Sequence, residues 1–357
     1  MTHPTVGRDV KFEQSCLETF GCVLPEEVVT SAELERRLAP VYERFRLHEG
    51  RLELMTGIRE RRFWEPGALP SDGSTRAGRL ALERAGVAPA DIDYLVHTSV
   101  SRDFLEPATA SVVHRNLGLS HRAGFCDISN ACLGFLNGMV TVANMIELGQ
   151  IKRGLVVACE SSRQLVETTL DQLLSDPKLT KKKLNLALAS LTIGSGAVAL
   201  VLTHESVSNG GPRFLGGVVR AATQHHELCQ GSADTGFGEN AAMSMVTDSE
   251  SLLNAGCALA GETWGEFQGA LGWSSGDIDR CYTHQVGIAH RDRLYETLQR
   301  DPAGDFATLD FLGNVGSVSV PLTMAMGIEA RPPRSGEHIA MLGIGSGLSC
   351  MMLGVEW

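Results

Sequence analysis

Several features are missing from this 357-residue chain, and each absence removes a class of function. No run of about 18 uncharged apolar residues occurs, so no membrane-spanning helix is expected. The opening MTHPTVGRDVKFEQ lacks the basic-then-apolar order of a secretory signal. Positive charge is scarce: Lys and Arg total 31 against 42 Asp and Glu, a formal net charge of −11. That balance argues against nucleic acid as a main partner, yet a local basic patch can still hold an anionic small molecule. His225, His226 and Cys229 are metal ligands by type, but no second Cys/His pair stands at ligand spacing. No metal is therefore expected. GIGSG (343–347) lacks the GxGxxG spacing, so it is not a dinucleotide fingerprint. The cysteines number nine, an odd count, and most sit among apolar or small residues. In a long chain without a secretory signal this predicts reduced thiols and a cytoplasmic location.

What is present is a large core. Hydrophobic residues make up 43% of the chain, with 39 glycines, which suits a compact α/β protein with many tight turns. Apolar runs bounded by Gly, Asp or Asn predict buried strands over YLVHTSV (94–100), LVVACES (155–161), GAVALVLT (196–203) and HIAMLGIG (338–345). Helical spacing runs through 74–86 and 107–118. The segment 131–149 is almost wholly apolar and predicts a helix buried on all sides. Strands alternating with helices imply βαβ units and much parallel pairing. Residues 225–250 show no clear period and read as a long cap or loop.

The chain also repeats itself. GVAPADIDYLVHTSV (86–100) aligns with GWSSGDIDRCYTHQV (272–286), sharing Gly, Asp-Ile-Asp and the final Val. DISNACLGF (from Asp127) then falls against DFLGNVGSV (from Asp310), and LVVACESS against AMLGIGSG. Three weak matches in one order predict two similar halves, 1–205 and 206–357, joined near 204–212. Ligands in open α/β sheets gather beyond the carboxyl ends of strands. Packed about a pseudo-twofold, the turns carrying Cys132, His284, Asn314 and GIGSG would meet in one site.

Each of these residues has a bland reading beside the chemical one. Cys132 sits where unpaired N–H groups of a helix start favour a thiolate and can hold an oxyanion; otherwise it is a small core residue. His284 follows a predicted strand and is placed to donate to a thioester oxygen or move a proton; otherwise it is a buried histidine bonded to backbone. Asn314 lies on a tight turn, which asparagine tolerates whatever its role. KLTKKK (178–183) and RERR (59–62) read as solvated charge, or as phosphate contacts.

NACLGF (130–135), THQV (283–286) and GNVGSVSVP (313–321), in that order, resemble the Cys-His-Asn set of the thiolase superfamily's condensing enzymes. The resemblance covers nearly the whole chain, from TGIRERRFW (56–64) to the terminal GIGSGLSCMMLGVEW. It implies the thiolase fold, two duplicated βαβ-containing halves in five αβαβα layers. Two branches compete: ketoacyl synthase III, which decarboxylates a malonyl thioester, and OleA, which joins two fatty acyl-CoAs head to head. TSVSRDFLEPATAS (98–111) is similar to OleA, because Glu106 stands where synthase III proteins tend to carry an apolar residue. Condensation without decarboxylation needs a base for an α-proton, and a carboxylate at the mouth of a dry pocket supplies one. The alternative for Glu106 is a helix-start carboxylate beside Pro107.

The resemblance implies Cys132 as acyl carrier, backbone N–H groups of Cys132 and Ser346 as oxyanion hole, and His284 and Asn314 holding the second carbonyl. It implies Glu106 acting from a partner subunit, hence a homodimer, with acyl-CoA substrates and no cofactor. Partners among later enzymes of olefin formation are implied as well. Arg59 and the 178–183 lysines are candidates for CoA phosphates. Leu312 replaces a family histidine, and Met55 an arginine that many synthase III proteins use for CoA. Other functions of the same site stay open: decarboxylative condensation, acyl transfer to make esters or amides, and non-catalytic acyl binding.

Overall fold

The computed structural model describes residues 9–231 and 244–357. The first half of the chain forms β1 (Asp9–Lys11), β2 (Ser15–Val23), α1 (Pro70–Ala85), β3 (Tyr94–His97), α2 (Thr109–Leu117), β4 (Gly124–Asp127), α3 (Gly134–Glu147), β5 (Arg153–Glu160) and β6 (Gly196–His204). The second forms β7 (Arg213–Ala221), α4 (Ser249–Leu271), β8 (Arg280–Thr283), α5 (Ile288–Leu298), α6 (Ser319–Ala330), β9 (His338–Gly345) and β10 (Ser349–Glu356). These strands hydrogen-bond in the order β8-β9-β10-β7-β2-β6-β5-β3-β4, with β1 beside β7. Strands of the first half meet β7 of the second at Cys16 with Arg213 on β2, and at Asp9 to Lys11 with Val218 to Gly216 on β1.

The two strand groups repeat one pattern. β2, β6 and β5 run antiparallel in turn, and β5 lies parallel to β3. β7, β10 and β9 do the same, and β9 lies parallel to β8. The Asp-Ile-Asp repeat has a physical job in both. The Asp93 carboxylate accepts hydrogen bonds from the backbone N–H groups of Lys152 and Arg153, at 2.8 and 3.0 Å, where β5 begins. Asp279 accepts from the N–H of His338 at 2.8 Å, where β9 begins. Each aspartate thus pins the first residues of the neighbouring parallel strand.

Side-chain alternation along buried strands divides the core into layers. On β5, Val156 and Ala158 face one cluster, and Leu155, Val157 and Cys159 another. On β10, Met351 and Leu353 face the first cluster, and Cys350 and Met352 a third. The shared cluster holds α3 and α6 between the two strand groups. Helices α1 and α2 cover one outer face; α4 and α5 cover the other. The resulting order is α, β, α, β, α. A fourth cluster lies under short helices of 31–56 and the helices Arg163–Ser175 and Lys181–Ala187.

Three expectations need revision. Helix α3 begins at Gly134 rather than 131, and Asn144 on it is exposed. The 225–250 segment holds most of a 3-10 turn, Thr223–Leu228, a small hairpin of Cys229–Gly231 with Met245–Thr247, and the start of α4 at Ser249; residues 232–243 of that cap lie outside the described residues. RERR is not uniformly solvated. Arg61 is fully buried, with Nη1 donating to Val29 O and Nη2 to Ser31 Oγ, and burial lowers its pKa to about 10.

Candidate active site

The turns named by the repeat come together through backbone and short polar links. Cys132 follows Ala131, whose φ of 44° lies in the left-handed region that non-glycine residues seldom adopt. Helix α3 then enters against β3 at unusually close range: a Cβ on Gly134 would lie 2.2 Å from Thr98 O. The end of β9 abuts the same turn, since a Cβ on Gly345 would lie 3.5 Å from Leu133 N. Ser346 follows it, half-buried, in the β9–β10 turn.

His284 leaves the end of β8, its N–H donating to Leu342 O on β9 at 2.9 Å. The next residue is tied to the asparagine turn, because Gln285 N–H donates to Ser319 Oγ at 2.8 Å. Asn314 itself is fixed on both sides. Its N–H donates to Thr192 O at 3.0 Å, and its carbonyl accepts from Gly194 N–H at 2.8 Å. Its side-chain oxygen accepts from Gly316 N–H at 3.0 Å. Ser317, three residues on, donates to the Glu160 carboxylate at 2.6 Å, and that carboxylate lies close enough to act on the Cys132 thiol.

Protonation states differ from the sequence expectation. Burial pushes the Cys132 thiol up to about 12, and the charges of Glu160 and Cys229 push the same way. The thiol precedes the first helical residue of α3 by two positions, and one backbone hydrogen bond opposes these effects. The resting Cys132 side chain is therefore a thiol. Burial lowers His284 to about 3, helped by the neighbouring His290, itself lowered by burial to about 4. His284 is a neutral imidazole at working pH, suited to donating a hydrogen bond to a carbonyl oxygen. Its Nδ1 is buried without a hydrogen-bond partner. Alkylation of Cys132 by iodoacetamide in the free protein is accordingly expected to speed up about tenfold per pH unit from pH 7 to 10. Peptide mapping of the alkylated cysteine checks this; a plateau near pH 7 would show a resting thiolate instead.

Other predicted residues lie elsewhere. Glu106 is exposed on the segment between β3 and α2. Arg59 is exposed, 3.8 Å from Glu60 and 3.9 Å from Asp310 carboxylate oxygens. Lys183 pairs with Asp176 at 2.8 Å. Leu312 is buried in the central core cluster, and Met55 is exposed. Among the described residues, no group of three or more His, Cys, Asp or Glu is placed to hold a metal ion. No described helix is long and apolar enough to cross a membrane. Sequence reasoning missed Glu160 and His290. Glu160 closes an apolar strand run at its carboxyl end, the one position in that run where a charge calls for explanation.

Two strand groups of repeated pattern, with Cys132, His284 and Asn314 on turns that follow strand or helix ends, fit the condensing enzymes of the thiolase superfamily. Residues 126–221 match the family 3-oxoacyl-[acyl-carrier-protein] synthase III, and 269–357 match its C-terminal region. The acyl-CoA:acyl-CoA alkyltransferase of Shewanella oneidensis is 43% identical over 98% of this chain and 100% of that one. The enzyme of the same name from Xanthomonas campestris pv. campestris is 39% identical over 92% of this chain and 94% of that one. A crystal structure of Xanthomonas campestris OleA with cerulenin bound superposes with a TM-score of 0.92 at 36% identity, over 98% and 99% of the two chains. Another, with lauric acid and lauroyl-CoA bound, gives 0.91 over 97% and 100%. The chain belongs to the OleA, or acyl-CoA:acyl-CoA alkyltransferase, family. Crystallised variants of the Xanthomonas protein replace a cysteine, a glutamate and a histidine. That glutamate precedes that cysteine by the interval that separates Glu106 from Cys132.

Proposed function

We propose that this protein condenses two fatty acyl-CoAs without decarboxylation, using Cys132 as acyl carrier and Glu106 of the partner subunit as base. The Cys132 sulfur attacks the first thioester carbonyl; the carbon–sulfur bond to CoA breaks, and CoA leaves with the thiol proton. Backbone N–H groups of Cys132 and Ser346 hold the oxyanion. The second acyl-CoA presents its carbonyl to His284 and Asn314, which stabilise the enolate that forms when its α-proton moves to Glu106. The carbanion attacks the Cys132 thioester, a carbon–carbon bond forms, and Cys132 leaves and regains a proton. The product is a 2-alkyl-3-oxoacyl-CoA, and hydrolysis of its thioester gives the β-keto acid.

The observation that carries this reading is a His284 kept neutral by burial, with Cys132 half-buried and Glu106 exposed at the protein surface. A neutral imidazole donates to a carbonyl oxygen, but neither it nor Asn314 is a base strong enough for an α-carbon. The reading therefore takes the base from the partner subunit. Edge strand β4 exposes Phe125, and the Glu106 segment exposes Val100, Phe104 and Leu105. A dimer that covers these apolar groups would bring Glu106 to the partner's site. The same reading takes 1–205 and 206–357 as the two halves, Arg59 as a CoA contact, and the cytoplasm as the location.

The test supplies long-chain acyl-CoA as sole substrate. Release of CoA with formation of a long-chain ketone on heating, through loss of CO₂ from the β-keto acid, is the expected result. Ketone that appears only when a malonyl thioester is added would replace this reading with decarboxylative condensation.

A further inference from the structure

The last residue of β5, Glu160, is 6% exposed and collects donors from two parts of the chain. One carboxylate oxygen accepts from Val100 N–H at 3.0 Å, Ser317 Oγ at 2.6 Å and Ser317 N–H at 3.4 Å. The other accepts from Ser101 N–H at 3.1 Å and Ser101 Oγ at 2.9 Å. Its main-chain oxygen accepts from Trp64 Nε1 at 3.0 Å. Gly316 is needed beside it: its φ is +56°, and a Cβ there would come within 3.3 Å of the carboxyl group. With both oxygens engaged, Glu160 is not placed to be a base.

Val100 and Ser101 are the root of the segment that carries Glu106. Its far end is held in the same manner, because Thr109 and Ala110 N–H groups donate to the Asp127 carboxylate, both at 2.8 Å. Within the segment, Asp103 N–H donates to Thr109 Oγ1 at 3.1 Å, and Asp103 Oδ1 accepts from Ser71 N–H at 2.9 Å. Asp127 opens the Cys132 turn, and Ser317 belongs to the Asn314 turn. The arc that presents Glu106 is therefore moored to both.

We propose that Glu160 is a positioning residue that ties the Asn314 turn to the Glu106 arc, so that the base a protomer lends its partner is set by the same carboxylate that sets its own Asn314. This deepens the function proposed above and rests on it. A glutamine at 160 keeps the shape but replaces one acceptor oxygen by an NH₂ group facing donors. The Ser317 hydroxyl can turn to accept from it; the N–H groups of Val100 and Ser101 cannot.

The experiment compares wild type, Glu160→Gln and Ser317→Ala for acyl loading of Cys132 by intact mass, for ketone formed, and for alkylation of Cys132 against pH. Both variants are expected to load acyl groups within a few-fold of wild type and to condense about 10- to 100-fold more slowly. Glu160→Gln alone removes a negative charge near the thiol, so its alkylation profile moves to lower pH. The titratable groups acting on Cys132 are Glu160 and Cys229, and Glu160 also acts on His97 and Cys159. Condensation at the wild-type rate in Glu160→Gln would overturn the proposal. So would equal loss of loading and condensation in both variants, which is the mark of a merely structural carboxylate whether or not the profile moves. A wild-type protein that makes no ketone overturns the reaction itself, and the wild-type control alone reports that.

Discussion

A Glu106→Gln variant is expected to load an acyl group onto Cys132 at close to the wild-type rate and then to stall. In the proposed reaction, acyl transfer needs the thiol and the N–H groups around it. It needs no α-proton removed. Condensation does need that step, and glutamine keeps the side chain's length while losing its basicity. A positioned base contributes roughly 10²- to 10⁴-fold, so ketone formation should fall by about 10³-fold. Intact mass after mixing with long-chain acyl-CoA should show the Cys132 adduct persisting in the variant and turning over in wild type. A variant that still makes ketone at more than about a tenth of the wild-type rate would remove Glu106 from the chemistry.

Loss of the nucleophile is expected to cost more. Cys132→Ala should lower ketone formation by on the order of 10⁴-fold or more, as removal of a covalent nucleophile does elsewhere. No adduct should form on any of the eight remaining cysteines, which the fold leaves as unpaired, non-catalytic thiols. The two variants together test the geometry. In a hybrid dimer, the Glu106→Gln chain supplies an intact Cys132 and the Cys132→Ala chain supplies an intact Glu106. If the glutamate acts across the interface, each hybrid has one complete site. Random reassortment of the two inactive proteins should then restore about a quarter of wild-type activity. No recovery after demonstrated subunit exchange would place Glu106 in its own protomer's site or in none.

Much of this site was legible in the sequence because its parts are local. Cys132, Asn314 and His284 lie at turns marked by Gly, Asp and the ends of apolar runs. The Asp-Ile-Asp repeat carried real information, since Asp93 and Asp279 each hold the start of a parallel neighbour. The ionisation of the site was not legible. The sequence places Cys132 at a helix start, which favours a thiolate, but α3 begins two residues later and Glu160 arrives from another strand. Arg61 shows the same limit. Within RERR nothing distinguishes it from Arg62, yet β-strand alternation turns Arg61 inward and leaves its neighbours Glu60 and Arg62 half-buried. Burial is a property of the packed chain, and the charges that decide a pKa come from segments far apart in sequence.

The protonated resting state of Cys132 bears on durability. Peroxides attack the thiolate, and their rate follows the fraction of sulfur in that form. A thiol pushed up to about 12 is almost entirely protonated at neutral pH. A protonated Cys132 is thereby slow to convert to sulfenic acid.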